Sequence, residues 1–410
     1  MIRERRGGWM VALGVLGVAL VAGGRGYVNG DAAAYAAQGW AGDLAQRPVH
    51  FAWIALANGL APIAGAALPR GLDAVHALFA ALAVAFTAHW AARAGGNAVV
   101  GAIGAAASIL PWAPFAEVDV PWVALATAAV VAPARAAALC TGLAVATSPA
   151  ATLAIPWIAL ARARLLPEIP RDRAMAPIAV GLVVAVVALT VGSGGDWWFG
   201  DRGVLGSMSP TPLRALRAWG GEVPVGLLPL VLLGSGGASL AFATLPLLLA
   251  PADTASVLPL GLTLAVAASR GWQRVPTGRP AQLAGLVLAV QLAQRGLTLG
   301  LGALSVAEQD AVLRRVAADL GPDDAVVAPF TWGARLGVIA TGDPYGIRWR
   351  PPDRPLRDQG ARWCAEPVDR VAVLPPGTQL GAGTAGALGV WWTRGDDPAL
   401  AGWCADPPVR

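Results

Sequence analysis

Long apolar stretches separated by short polar segments fill the chain from its start to about residue 304. Several are shorter than the roughly 20 residues that a membrane-spanning helix needs, but short or proline-broken segments are tolerated where protein covers their ends. The pattern therefore predicts a mainly α fold, a polytopic bundle of transmembrane helices. The apolar runs lie at 9–24, 51–68, 74–92, 98–112, 121–134, 136–146, 150–161, 174–192, 223–236, 238–250, 254–269 and 281–304.

Composition indicates the same class of protein. Of the 410 residues, 56% are hydrophobic and 13% are charged, which is about half the charged fraction of an ordinary soluble domain. Lysine is missing from the sequence, so arginine carries the positive charge. In a membrane protein such residues chiefly set topology, and we therefore expect no nucleic-acid partner.

The placement of arginine predicts the topology. Arg3, Arg5 and Arg6 precede the first apolar run, which we interpret as a retained signal anchor with a cytoplasmic N-terminus. The run 51–68 is doubtful because polar residues and a proline interrupt it. If this run does not cross, there are about eleven crossings, the C-terminal part lies outside, and the later arginines face the cytoplasm. Those arginines are Arg93, Arg135, Arg162, Arg164, Arg171, Arg173, Arg270, Arg274 and Arg279.

The same topology places most acidic side chains of the apolar region on the outer face. They either solubilise the outer loops or line a negatively charged outer cavity, and the sequence leaves both interpretations open. The outward acids are Asp31, Asp43, Asp73, Glu117, Asp119, Asp196, Asp201, Glu222 and Asp253.

Charge rises sharply in the last quarter of the chain. Residues 305–410 hold 24 of the 55 charged side chains. We therefore predict a transmembrane domain at 1–304 and a soluble extracytoplasmic domain at 305–410. Helical spacing at 306–319, followed by short apolar runs between Gly/Pro turns, predicts a small α/β or α+β fold. The predicted strands lie within 323–330, 336–342, 369–377 and 386–393.

Cysteine and histidine are scarce. Cys364 and Cys404 lie in the similar segments "WCAEP" and "WCADP", and in an oxidising outer compartment they favour a disulfide. Cys140 falls in an apolar run and is interpreted as a small apolar residue. Because Cys and His do not cluster, a structural zinc site is not expected. Of the histidines, His76 and His89 share one apolar run and are interpreted as packed or interfacial.

Two carboxylate-bearing segments follow apolar runs on the predicted outer face. Asp31 lies just beyond the first run, and "LPWAPFAEVDVPW" carries Glu117 and Asp119 between prolines, which predicts an irregular loop. Ionisable groups at membrane depth mark functional sites by default. The alternatives are a helix-capping role for Asp31 and a solvated loop for Glu117 and Asp119.

Tryptophan is abundant, with 17 residues. Many lie at the ends of apolar runs, where an interfacial belt places them. Trp197 and Trp198, in a predicted outer loop, are candidates for stacking on a sugar or a prenyl chain. The residues assigned to the belt are Trp9, Trp40, Trp53, Trp90, Trp112, Trp122 and Trp157.

The order of several weak motifs over residues 1–230 resembles the GT-C class of membrane glycosyltransferases, of the protein O-mannosyltransferase and aminoarabinose-transferase type. "GDAAAYAAQG" resembles the acidic first outer loop of that class, and "QRPVHFAWIALANGL" resembles the stretch that follows it. "AEVDVPWVALATAA" and "TGLAVATSPAATLAIPW" are similar to the second acidic loop and to the broken helices after it. "GGDWWFGDRGVLGSMSPTPLRAL" looks like a tryptophan-containing outer loop. The sequence departs from the pattern in having Asp31 alone for an acidic pair and Pro48 alone for a double proline.

The resemblance implies an inverting glycosyltransferase of the bacterial inner membrane. It would move a sugar from a polyprenyl-phosphate carrier to a hydroxyl of an unknown protein or glycan acceptor, with no cofactor and no metal. Glycosyl transfer needs a carboxylate to act as base or to orient the acceptor, and a cation for the leaving phosphate. We assign the base to Asp31, with Glu117 and Asp119 in support. The predicted substrate-binding residues are Asp43, Arg47, His50, Trp197, Trp198 and Arg202.

Two other functions fit the same sequence. A transporter or lipid-carrier translocase could use broken helices and an acidic cavity. A catalytically inactive relative could act as a scaffold.

Overall fold

The computed structural model describes the chain mainly as helices with one small sheet. It divides into two compact units. The helical unit comprises residues 1–24, 43–56 and 73–302, and the sheet unit comprises residues 25–42, 57–72 and 303–410. The described residues are 2–23, 35–36, 38–40, 50–113, 118–193, 197, 225–234, 257–342, 346–350, 368–374, 384–385 and 389–396.

The helices follow the predicted apolar runs, most of them with shifted or shorter bounds. Short 3₁₀ turns at Gly65–Ala67 and Val225–Leu227 each precede an α-helix. The α-helices up to the sheet are α1 (Ile2–Gly23), α2 (Phe51–Ala64), α3 (Leu68–Arg93), α4 (Ala98–Ile109), α5 (Asp119–Val131), α6 (Ala134–Thr147), α7 (Ala150–Leu153), α8 (Ile155–Leu165), α9 (Arg171–Gly192), α10 (Leu228–Gly234), α11 (Leu258–Trp272) and α12 (Arg279–Asp319).

Two described helices, α3 and α9, are long and apolar enough to cross a membrane. On α9 the valines are largely open to the surroundings, with Val184 64% exposed. A contiguous exposed aliphatic face of this kind marks an interaction or membrane surface rather than an ordinary soluble one. The described helices thus indicate membrane association, whereas the eleven crossings stay a prediction.

Small residues bring the helices of the helical unit close together. Gly181 of α9 lies against Ala138 of α6, where an added Cβ would meet the Ala138 carbonyl oxygen at 2.2 Å. Gly142 of α6 lies against Gly181 and Ala185 of α9, so the two helices run in the same direction. Pairs of small residues four apart allow such close backbone approach in membranes.

Four of the seven tryptophans assigned to the interfacial belt are packed inside the protein, whereas Trp9 is 54% exposed. Trp53, Trp122 and Trp157 are buried to 2% exposure or less, and Trp90 is buried as well. Trp157 donates its indole N–H to the Thr263 hydroxyl at 2.9 Å. An indole that finds its hydrogen-bond partner within the protein has no need of the bilayer interface.

Two arginines close the carboxyl end of α5. The Nη1 of Arg162 lies 2.9, 3.3 and 2.7 Å from the carbonyl oxygens of Ala129, Val130 and Ala132. Arg93 donates to the carbonyl oxygen of Val131 at 3.1 Å. The last carbonyls of a helix have no partner within the helix, and cations there also oppose the helix dipole.

The sheet unit contains a mixed five-stranded sheet of order β2-β1-β3-β5-β4. Strand β1 pairs in parallel with β2 and β3, whereas β5 pairs antiparallel with β3 and β4. Helix α13 (Phe330–Thr341) connects β1 to β2. The strands are β1 (Ala325–Val327), β2 (Arg348–Arg350), β3 (Arg370–Val373), β4 (Thr384–Ala385) and β5 (Trp391–Arg394).

The predicted strand at 336–342 is wrong, because these residues lie at the end of α13. Two parallel neighbours such as β1 and β2 need a crossover connection, usually a helix. The helix ends at Gly342, which has φ 80 in the left-handed region. Gly333 makes the close contact with the sheet, since an added Cβ would lie 2.1 Å from the Trp349 ring.

A carboxylate and an arginine connect β3 to the turn before β1. Asp324 accepts from Arg370 Nη2 at 2.5 Å and Nε at 3.2 Å, and from the backbone N–H of Gly321 at 2.8 Å. The hydrogen bond to Asp324 is the main cause that raises the pKa of Arg370. The guanidinium also lies 4.7 Å from the centre of the Trp392 ring.

Candidate functional site

An apolar groove of about 810 Å³ runs along α6 and α9 in the helical unit. The small residues Gly142, Gly181 and Ala185 form part of its lining, and Leu143 and Val184 are among its aliphatic side chains. Because the helices touch through small residues, the larger side chains on either side of the contact stand above it. The result is a trough whose aliphatic lining suits a flexible hydrocarbon.

Polar groups gather where α6 and α9 both end. Ser193, which follows α9, lines the groove, as does Phe51 at the start of α2. Next to Phe51, His50 places its Nδ1 3.1 Å from the carbonyl oxygen of Thr147, the last residue of α6. A carbonyl oxygen only accepts, so in this bond Nδ1 is the donor. His50, a predicted substrate-binding residue, thus lies beside the end of the groove.

Trp197 is held near the same helix end. Its backbone N–H donates to the hydroxyl oxygen of Ser193 at 3.1 Å, and Ser193 lines the groove. The Trp197 side chain is fully buried and belongs to the core of the helical unit. Stacking of Trp197 on a sugar or a prenyl chain stays a prediction. His50 and Trp197, far apart in sequence, therefore both adjoin groove-lining residues.

A second polar cluster surrounds His76 in α3. Its Nδ1 donates to the carbonyl oxygen of Ala113 at 3.0 Å, and the ring is 1% exposed. Within the part of the chain that the structure describes, Nε2 has no hydrogen-bond partner. The Trp53 ring meets the imidazole edge-on, with centroids 6.3 Å apart. Buried polar nitrogens ordinarily have a hydrogen-bond partner, so the lack of one for Nε2 among the described residues is unusual.

Asp73 lies in the same helix as His76, α3. It precedes His76 by three residues, which puts both side chains on one face of the helix, and it is also buried. The i, i+3 spacing was visible in the sequence, whereas the Ala113 carbonyl that receives the His76 bond was not. The packed interpretation of His76 is confirmed, and the position of Asp73 on the same helix face was missed.

Asp119 is the first residue of α5 rather than part of an irregular loop. It is 8% exposed, so the solvated-loop interpretation is wrong for this residue. Pro121 lies in the first turn of α5, where a proline removes no helical hydrogen bond. A carboxylate in that turn also interacts favourably with the helix dipole.

The other predicted site residues lie outside the described residues. For the remaining catalytic and binding roles these are Asp31, Glu117, Asp43, Arg47, Trp198 and Arg202, and for the disulfide they are Cys364 and Cys404. Among the residues that the structure does describe, no group of three His, Cys, Asp or Glu side chains is placed to hold a metal ion.

Comparison of the chain with protein-family models, with curated proteins and with solved structures finds no match. Function must therefore be argued from the groove, the polar groups at its end and the sequence.

Proposed function

We propose that this protein is a GT-C-like glycosyltransferase of the bacterial inner membrane that uses a polyprenyl-phosphate sugar as donor. The observation that carries the proposal is the apolar groove that ends beside His50. A polyprenyl-phosphate sugar has a long hydrocarbon chain and a charged phosphate at one end. A site for it needs an aliphatic trough and polar groups at a single end, which is the arrangement of α6 and α9.

The aliphatic walls support a lipid ligand. Leu139 and Val180 line the groove and are 63% and 56% exposed. In a bilayer these side chains face lipid tails. A prenyl chain that binds in the groove is therefore stabilised by packing contacts with them, not by transfer of apolar surface out of water. The groove volume of about 810 Å³ falls in the range of ordinary small-molecule sites, about 300–1,000 Å³.

The chemistry follows from the segment that precedes the groove along the chain. Residues Asp43, Arg47 and His50 lead directly into Phe51, which lines the groove. A bidentate arginine such as Arg47 or Arg202 would hold the phosphate leaving group. His50 in its protonated form would donate a further hydrogen bond from Nε2, since its Nδ1 donates to Thr147. Asp31 would take the proton of the acceptor hydroxyl while the hydroxyl oxygen attacks the anomeric carbon of the sugar. The bond between the anomeric carbon and the phosphate oxygen would break at the same time, with inversion at that carbon. Glu117 and Asp119 would orient the acceptor.

The proposed topology places the groove's polar end on the outer face. About eleven crossings put the N-terminus in the cytoplasm and residues 305–410 in the periplasm. Helices α6 and α9 then both begin at cytoplasmic arginines, Arg135 and Arg171, and run outward. A disulfide between Cys364 and Cys404 is consistent with that compartment.

Release of sugar from the donor is the test. The full chain, purified and reconstituted in lipid, is incubated with a panel of polyprenyl-phosphate sugars, and slow hydrolysis by water is followed without an acceptor. We expect wild type to release sugar from one donor and Asp31→Asn to lose that activity. Equal release by both would remove Asp31 from the mechanism. If wild type releases sugar from none of the donors tested, the translocase or scaffold alternatives would be favoured.

A pair of groove variants tests the lipid site separately. Ala188 lines the groove, and a phenylalanine there would occupy it. The neighbouring Val187 is 58% exposed and lies outside the groove lining, so Val187→Phe adds the same bulk elsewhere. We expect Ala188→Phe to raise the donor KM about ten-fold or more, as removal of roughly 1.4 kcal/mol of binding would do. Val187→Phe should leave it unchanged, and an equal effect of both would contradict the assignment.

A further inference from the structure

A second cavity in the helical unit is strongly basic. It has a volume of about 260 Å³ and lies among the ends of α3, α8 and α10 and one side of α11. Arg93, Arg164 and Arg270 line it, each from a different helix, and none of the described residues that line it is acidic. The nearest acid along the chain, Glu168, is exposed and follows the lining residue Pro167.

Neighbouring contacts concentrate the positive charge further. Arg93 and Arg162 both reach carbonyl oxygens at the end of α5, so their guanidinium groups converge on one short segment. Helix termini there present carbonyls rather than N–H groups, and these accept from the two cations. The arginines at the cavity therefore have a further positive neighbour, Arg162.

The rest of the lining is apolar. Trp90, Leu165 and Val266 face the cavity beside the arginines. Thr263 also lines it, but its hydroxyl already accepts from Trp157 at 2.9 Å and donates to the Pro259 carbonyl at 2.8 Å. Among the described residues, the guanidinium groups are thus the charged groups that a ligand in the cavity would meet, with hydrocarbon contacts around them.

We infer that this cavity binds the phosphate group of an anionic membrane lipid. Guanidinium groups bind phosphate oxygens bidentately with charge-assisted hydrogen bonds. Basic pockets between membrane helices on the cytoplasmic side suit anionic head groups, and all three arginines belong to the predicted cytoplasmic set. The volume, below that of a whole-ligand site, accommodates a head group whose acyl chains remain outside. This inference depends on the membrane location of the chain and is independent of glycosyl transfer.

The test measures binding, so its outcome does not depend on enzyme activity. Full-length protein in neutral detergent is titrated with dihexanoyl phosphatidylglycerol, with dihexanoyl phosphatidylcholine and with inorganic phosphate, and thermal unfolding is followed by tryptophan fluorescence. We expect phosphatidylglycerol to raise Tm and phosphatidylcholine to leave it unchanged. Stabilisation by inorganic phosphate equal to that by phosphatidylglycerol would identify a free anion as the ligand. No preference of wild type for phosphatidylglycerol over phosphatidylcholine would overturn the inference.

Matched variants assign the effect to the cavity. Arg164→Gln and Arg270→Gln, tested singly because both side chains are exposed, should each weaken phosphatidylglycerol binding about ten-fold or more. Arg135→Gln removes an exposed arginine of the same predicted face that does not line the cavity, and it should bind like wild type. An equal loss in all three variants would indicate general surface charge and refute the site.

Discussion

Replacement of Arg162 by methionine should strongly destabilise the helical unit. The side chain is 4% exposed and joins three helices. From α8 its Nη1 reaches the last carbonyls of α5, and its Nε donates to the carbonyl oxygen of Ala174 in α9 at 3.1 Å. Methionine keeps most of the aliphatic volume and removes every donor, so the loss isolates the hydrogen bonds.

The magnitude follows from the number of hydrogens. The Nη1 group has two hydrogens for three carbonyl oxygens, at 2.7, 2.9 and 3.3 Å, so one bond is shared. With the Nε bond, three N–H groups are lost, and three buried carbonyls and the partly buried carbonyl of Ala132 lose a partner. Each buried unsatisfied group costs about 1–3 kcal/mol. Since Arg93 still holds Val131 and contributions in one network are not additive, we expect a loss of about 3–5 kcal/mol.

Thermal unfolding of the purified chain in detergent is the assay. We expect Arg162→Met to lower Tm by roughly 5–10 °C, extrapolating from the behaviour of large domains. Arg162→Lys keeps the charge but offers donors from a single point, so it should fall between methionine and wild type. Arg173→Met, at an exposed position of α9, is the control and should change Tm little. A drop below about 2 °C for Arg162→Met would refute the view that these bonds are needed to close α5.

Three further substitutions test structural features described above, each by unfolding of the purified full chain. Gly181→Ala should destabilise the protein by about 1–3 kcal/mol through its clash with α6. The control Gly192→Ala, with nothing within 4 Å of the added Cβ, should be neutral or slightly stabilising. Equal effects of the two substitutions would contradict the close contact between α6 and α9. Asp324→Asn weakens a bond to an arginine that is half exposed (53%), so about 1 kcal/mol is expected, and an unchanged midpoint would show that the pair with Arg370 contributes nothing. Gly342→Ala meets no atom within 4 Å but forces alanine to φ 80, so a cost of about 1 kcal/mol is expected from backbone strain alone, and a stabilised variant would refute it.

Local signals in the sequence predicted most helices well. The run 174–192 lies within α9, and the run 98–112 begins where α4 begins. Asn97 explains the second start, because its side chain accepts from the N–H groups of Val99 and Val100. Charge rises from residue 305, close to residue 303 where the C-terminal segment of the sheet unit begins, although α12 continues through this position.

Contacts between distant segments could not be predicted. The strand expected at 336–342 is a helix because β1 and β2 lie side by side in parallel, a pairing that local alternation does not reveal. Helices that are apolar on all sides do not show which face meets protein, so the burial of Trp122 and Trp157 was missed. The groove beside His50 likewise depends on α6 and α9 lying together.

The closure of α5 by Arg162 has a consequence for how the chain is made. Val131 is translated 31 residues before Arg162, an interval of about 2–6 s at ordinary rates of synthesis. During that time Arg93, already made, can hold the Val131 carbonyl, but Ala129, Val130 and Ala132 must wait for α8. The bond to Ala174 then requires the start of α9. Assembly of these three helices is therefore ordered along the chain. If membrane insertion stops between α5 and α8, the carboxyl end of α5 stays incompletely capped and is exposed to cellular quality control.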